Sequence, residues 1–297
     1  RVAGMSTIRP WALALGQAQI AGPLVFGEAL AYARFGAFSP AIAAALLGLG
    51  VALQVLLFGV RGLAAEDGRR PSWRGRGLGR ELLRGLAAAG LAAAAGAALF
   101  VTLEHGRTWM LVGPAAGAAL AWAYSLPPIE AARRGFGEVI YGIGAAALPL
   151  LAAYAQAGAL SAELLPALVP AIVLGGAAEI LRSLPEQPAD AAAGQRSYAV
   201  RYGQWRARRH AIELTLVAAL LANLALPELT LALDLVLAAP AAALLVLGAR
   251  LLGSADAEVP DECARFVALV GAAGPVLLLT WSLALVVVAI TAGAGMV

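Results

Sequence analysis

The sequence predicts an all-α integral membrane protein of about nine transmembrane helices, and three observations carry that prediction. Hydrophobic residues make up 61% of the chain and charged residues only 13%, far from the balance of a water-soluble domain. Apolar runs near bilayer length recur from end to end of the 297 residues, which reads as one polytopic membrane domain, 1–297. Ten-residue segments of strongly alternating polarity, the mark of a membrane barrel, do not occur.

The predicted spans are 11–33, 40–61, 82–103, 108–125, 137–157, 163–183, 209–227, 230–251 and 265–292. Residues Arg1 to Pro10 run straight into the first span, so no cleavable signal peptide is expected. After the second span, Pro71 and several glycines keep the stretch at about 62–81 from being one continuous helix. Pro127 and Pro128 end the fourth span, and the turn at about 126–136 leads to Glu138, an acid suited to the start of the fifth. The longest polar stretch, about 184–208, follows the sixth span.

Arginine decides the orientation, because the chain has no lysine and all 21 basic residues are arginine. Apart from Arg34 and Arg107, they fall in the N-terminal segment and in the loops after the second, fourth, sixth and eighth spans or the span ends that border those loops. By the positive-inside rule those regions face the cytoplasm and the C-terminus lies outside, as in a prokaryotic inner membrane. One cysteine, Cys263, excludes an internal disulfide and a multi-thiolate metal site. Two histidines, His105 and His210, make a histidine metal cluster improbable. Nothing in the charge pattern resembles a nucleic-acid surface, so the expected surroundings are a lipid bilayer and small molecules, with a protein partner left open.

The chemistry-bearing residues gather at the predicted cytoplasmic face. Glu186 and Asp190 stand four residues apart, one helical turn, with Arg182, Arg196 and Arg201 around them. Two carboxylates suit a divalent cation and guanidiniums suit phosphate, so the set reads either as a diphosphate site or as a solvated loop that only sets topology. The earlier loop offers Glu66 and Asp67 ahead of Arg69, Arg70, Arg74, Arg76 and Arg80: a second half-site, or a basic anchor. Arg133 and Arg134 add a third basic element. Within the spans, Glu28, Gln54 and Glu179 are candidates for a shared polar cavity, while Asn223 and Asp234 read as a helix-to-helix hydrogen bond.

Taken together, these elements resemble the UbiA superfamily of intramembrane prenyltransferases, most closely its menaquinone branch, which prenylates 1,4-dihydroxy-2-naphthoate. Tyr124, Ser125, Pro127, Pro128, Arg133, Gly137 and Glu138 match that family's Tyr-Ser-x-Pro-Pro turn before a Gly-Glu. Residues 185–203 match its second aspartate-rich motif. The departures are specific. The second motif begins with Glu186 in place of aspartate, and Gln195 replaces the expected lysine. In the first motif only Asp67 sits at a ligand position, with Gly59, Val60 and Leu63 at the others and Glu66 as a possible substitute. The lysine that members often carry before the double arginine falls at Ala132.

The resemblance implies helices around a central cavity and magnesium-dependent transfer of a prenyl group from an isoprenoid diphosphate to an aromatic quinone precursor. It assigns Asp190, Glu186 and Asp67 to catalysis, and Glu186, Asp190, Asp67 and Glu66 to metal. Arg196, Arg133 and Arg9 would hold the diphosphate, and Tyr124, Tyr141, Glu138 and Gln54 would line the cavity. The degenerate first motif keeps a second reading open, a relative that binds a quinone, an isoprenoid or a membrane partner without turnover.

Overall fold

The structure, a computed structural model, describes residues 10–66, 78–227 and 229–294. Its long helices are α1 (Pro10–Phe35), α2 (Pro40–Glu66), α3 (Arg80–His105), α4 (Val112–Ser125), α6 (Gly137–Ala157), α7 (Leu165–Ser183), α10 (Gln204–Ala225), α11 (Leu231–Ala249) and α12 (Pro260–Ala294). Three short ones lie between them: α5 (Ala131–Arg134), α8 (Gln187–Ala192) and α9 (Tyr198–Tyr202). No strand occurs among the described residues. Each predicted span overlaps one long helix, and six of these helices are long and apolar enough to cross a membrane. Their outer faces are greasy: Leu103, Leu220, Leu224 and Val236 are exposed. Lipid is the solvent that tolerates such a surface.

Several boundaries move from the sequence reading. Helix α2 runs on through Ala64, Ala65 and Glu66, because Leu63, Ala64, Ala65 and Glu66 are good helix formers and carry the helix past the single Gly62. Helices α10 and α12 begin about five residues earlier than the spans at 209 and 265. The stretch 184–208, expected as a loop, folds into α8 and α9, and Pro188 stands in the first turn of α8, where its missing N–H costs nothing. The turn 126–136 likewise holds α5.

Packing relies on close backbone approach rather than large side chains. A Cβ at Gly59 of α2 would meet the Ala87 nitrogen at 2.6 Å, and one at Gly90 of α3 would meet the Leu56 nitrogen at 2.4 Å. Helices α6 and α7 cross in the same way at Gly142 and Gly175. Helix α1 lies against α2, α6 and α12, and α7 against α6 and α10; the C-terminal ends of α2, α4 and α7 and the N-terminal end of α6 meet beside the short helices. The largest core joins α1, α7, α10, α11 and α12 around Phe26 and Trp281, whose rings are 6.2 Å apart. There the Trp281 indole donates to Asp234 at 2.7 Å and Asn223 donates to the same carboxylate, the helix-to-helix bond the sequence suggested.

Candidate functional site

The convergence of α2, α4, α6 and α7 is polar and built from six side chains. Glu179, in the last turns of α7 and 3% exposed, is held from two sides. Arg182 grips it with a bidentate fork, Nε to Oε2 at 2.7 Å and Nη2 to Oε1 at 2.6 Å. The Tyr124 hydroxyl donates to Oε1 at 2.5 Å. One helical turn on, Arg182 Nη1 also reaches Glu186 Oε2 at 2.5 Å, so a single guanidinium serves two carboxylates. Tyr124 meets Tyr141 edge to face at 5.8 Å. Arg61 of α2 lies over both rings, 5.0 Å from the Tyr124 centroid and 5.5 Å from that of Tyr141, and donates to the Tyr141 hydroxyl at 3.1 Å. Gly137 makes room for this assembly: a Cβ there would stand 2.9 Å from Glu179 Oε1.

A second layer holds the short helices in place. Arg201 bonds both Glu138 oxygens at 3.1 Å and covers the rings of Tyr198 and Tyr202. The Tyr198 hydroxyl meets His210 Nδ1 at 2.6 Å, and burial pushes this phenol above its ordinary pKa. The Arg196 amide donates to the Arg133 carbonyl at 3.0 Å, which ties the second-motif region to the α5 turn. Between them opens a concavity of about 510 Å³, lined by Glu130, Arg133, Arg134, Phe136, Gly194 and Arg196.

The sequence-predicted residues therefore fall into separate groups. Tyr124, Tyr141 and Glu186 belong to the central cluster; Arg133 and Arg196 line the outer concavity, and Arg133 also reaches Glu130 at 3.4 Å. Glu138 serves as the Arg201 partner in the first turn of α6. Asp190, in the first turn of α8, is buried, 2% exposed. Gln195 is buried as well, a position where a neutral amide costs less than the ammonium of the family lysine. Gln54 points toward Gly16 of α1. Arg9, Asp67 and the Glu66 side chain lie outside the described residues.

Sequence reasoning missed one member of the cluster, Arg61, and placed Arg182 beside Glu186 without its fork to Glu179. Arg61 was taken as the terminal residue of a span, whereas α2 continues beyond it and brings it inward. Arg182 was grouped with Arg196 and Arg201, yet the three find different partners. The signal available was spacing: Glu179, Arg182 and Glu186 at i, i+3 and i+7 fall on one face of a continuing helical path.

Among the described residues no three or more of His, Cys, Asp and Glu come together as a metal cluster. Magnesium, however, commonly takes one or two protein carboxylates and completes its shell with phosphate and water. Of the predicted pair, Glu186 is held by Arg182 and keeps part of its side chain open to such a shell, whereas Asp190 is buried.

An all-helical membrane bundle with acids, guanidiniums and tyrosines gathered at one end has counterparts among solved structures. The fold is similar to that of a UbiA homologue from Aeropyrum pernix K1, with a TM-score of 0.63 at 18% identity over 86% of this chain and 96% of that one. It is also similar to a UbiA homologue from Archaeoglobus fulgidus bound to DMAPP and Mg2+, at 0.59 and 16% identity over 93% and 97%. A digeranylgeranylglyceryl phosphate synthase gives 0.57 at 15% identity over 91% and 93%. No curated protein sequence matches the chain. Residues 64–270 match the model of the UbiA prenyltransferase family, and the chain belongs to that family. It is accordingly an integral membrane protein.

Proposed function

We propose that this protein transfers a prenyl group from an isoprenoid diphosphate to an aromatic acceptor, a quinone precursor such as dihydroxynaphthoate. The observation that carries the reading is Arg182 bracketed by Glu179 and Glu186 beside Tyr124, an anion-and-cation centre where family membership leads one to expect a diphosphate. Relatives from Archaeoglobus fulgidus bound to DMAPP with Mg2+ and to GPP with Mg2+ support it.

In the reaction, the allylic carbon–oxygen bond breaks and its electron pair leaves with the diphosphate. Magnesium, held by Glu186 and Asp190, with Asp67 and Glu66 as further ligands in the sequence reading, would supply positive charge against that leaving group. Arg182 and Arg61 add fixed cations on the protein side, Arg133 and Arg196 line the approach, and Arg9 is a further diphosphate ligand in the sequence reading. Tyr124 and Tyr141 belong to the cavity wall of the sequence reading, and Arg61 over their rings sets positive charge beside the leaving group. The acceptor ring carbon then bonds to the cation and loses its proton to the released diphosphate. Nine membrane-crossing helices around a cavity, cytoplasmic Arg-rich loops and N-terminus, and a prokaryotic inner membrane complete the proposal.

The alternative, binding without turnover, draws on α2. Gly59 is committed to the α3 crossing and Val60 is buried against Leu56 and Ala121, so two ligand positions of the first motif are spent on packing. The test incubates purified protein in detergent with magnesium, a long prenyl diphosphate and dihydroxynaphthoate. A lipophilic product that disappears in Asp190→Ala supports transfer. No product with any of several acceptors supports the binding reading.

A further inference from the structure

Within the first motif one change is a gain rather than a loss. Ligand side chains are missing at Gly59, Val60 and Leu63, and Gly59 has no room for one, since even a Cβ would sit 2.6 Å from the Ala87 nitrogen and 2.7 Å from the Leu83 carbonyl oxygen. On the same helical turn the chain carries Arg61, and its guanidinium enters the central cluster.

The cluster holds two carboxylates, Glu179 and Glu186, and two guanidiniums, Arg182 and Arg61, but the direct ion pairs all belong to Arg182. Arg61 makes no ion pair among the described residues. Its partners are a phenol and two ring faces, and its Nε is buried with no hydrogen-bond partner. Glu179 acts on Arg61 only from beyond contact distance, and a buried guanidinium N–H with no acceptor is costly. That cost disappears when an anion with several acceptor oxygens arrives, because a guanidinium fork matches phosphate geometry.

We propose that Arg61 is a built-in cation standing in for the metal of the degenerate first motif: it contacts the diphosphate directly, so that this protein holds a prenyl diphosphate without depending on a second magnesium ion. The inference rests on the proposed function, since it concerns the same diphosphate. A tethered guanidinium neutralises less charge than a divalent ion, but its position is prepaid by the fold and it requires no dehydration of magnesium.

The experiment is equilibrium binding of labelled geranyl diphosphate to purified protein in detergent, in excess magnesium and again in EDTA, for the unmodified chain, Arg61→Ala and Arg61→Lys. The unmodified protein should keep its affinity in EDTA to within about tenfold. Loss of a charge-assisted contact weakens binding roughly ten- to a hundredfold, so Arg61→Ala should lose that much in EDTA and less in magnesium. Arg61→Lys, which keeps the charge but not the fork, should fall between them. Melting of each variant without ligand separates misfolding from lost contact, and Arg61→Lys serves as the informative variant if Arg61→Ala does not fold. Binding that needs magnesium absolutely, or that is indifferent to both Arg61 substitutions, overturns the inference while leaving the proposed function standing. A protein that binds no geranyl diphosphate even in excess magnesium overturns both.

Discussion

The two ends of the bundle use arginine differently. At the end carrying the short helices, Arg182, Arg201 and Arg61 face carboxylates, phenols and aromatic rings, and their charges are concentrated around a small polar centre. At the opposite end, Arg107 donates to the backbone carbonyls of Ala155 and Gln156 at 2.9 and 3.0 Å, and Arg34 donates to those of Glu163 and Ala225. Those carbonyls belong to helix ends or to a tight turn, where no intrahelical N–H is available and the helix dipole is negative. Gln156 and Ser39 close the same end with a reciprocal pair of bonds. The two arginines that stood out against the positive-inside pattern are thus helix caps, consumed by backbone. Arg182, Arg201 and Arg61 instead meet side chains.

This contrast can be broken by substitution. The largest effect is expected at Glu179→Ala, which removes both oxygens of the Arg182 fork and the acceptor of Tyr124. Breaking a buried pair costs about 3–5 kcal/mol, so unfolding in detergent should show a loss of that order together with lost diphosphate binding. Next comes Gly175→Ala, whose Cβ would stand 2.6 Å from that of Ala145 and 2.8 Å from the Tyr141 carbonyl oxygen. Overpacking of this kind costs about 1–3 kcal/mol, and the shift of α6 it forces should weaken binding by moving Tyr141. Arg107→Ala should cost about 1–2 kcal/mol of stability by uncapping α6, with prenyl diphosphate affinity unchanged. The smallest change belongs to Arg84→Ala: its 2.8 Å pair with Glu81 is well exposed, and melting should move by less than about 0.5 kcal/mol.

How much of this was legible beforehand follows from which physics acts locally. Bilayer-length apolar runs predict helices whatever their neighbours do, and every predicted span overlaps a helix. The turn around Tyr124, Pro127 and Glu138 was readable as a motif, as was the acid pair at Glu186 and Asp190. Partner choice was not readable. Whether Arg182 or Arg196 meets Glu186 depends on where α8 and α9 fold back, and a stretch dense in Gly, Pro and polar residues gives little periodic signal. Arg61 was hidden for the opposite reason: a charge near a span's end looks like an interface anchor until the helix is seen to continue through Ala64 and Ala65. The caps at Arg34 and Arg107 needed contacts more than forty residues away along the chain.

The most direct test of the account compares ligand-induced stabilisation at the two ends. Geranyl diphosphate with magnesium should raise the melting temperature of the unmodified protein, by about 2.7 kcal/mol of stability at a hundredfold excess over Kd. That gain should vanish in Arg182→Ala and persist in Arg107→Ala. An equal gain in both variants, or its loss in Arg107→Ala alone, would contradict the placement of the diphosphate site at the Glu179, Arg182 and Tyr124 cluster.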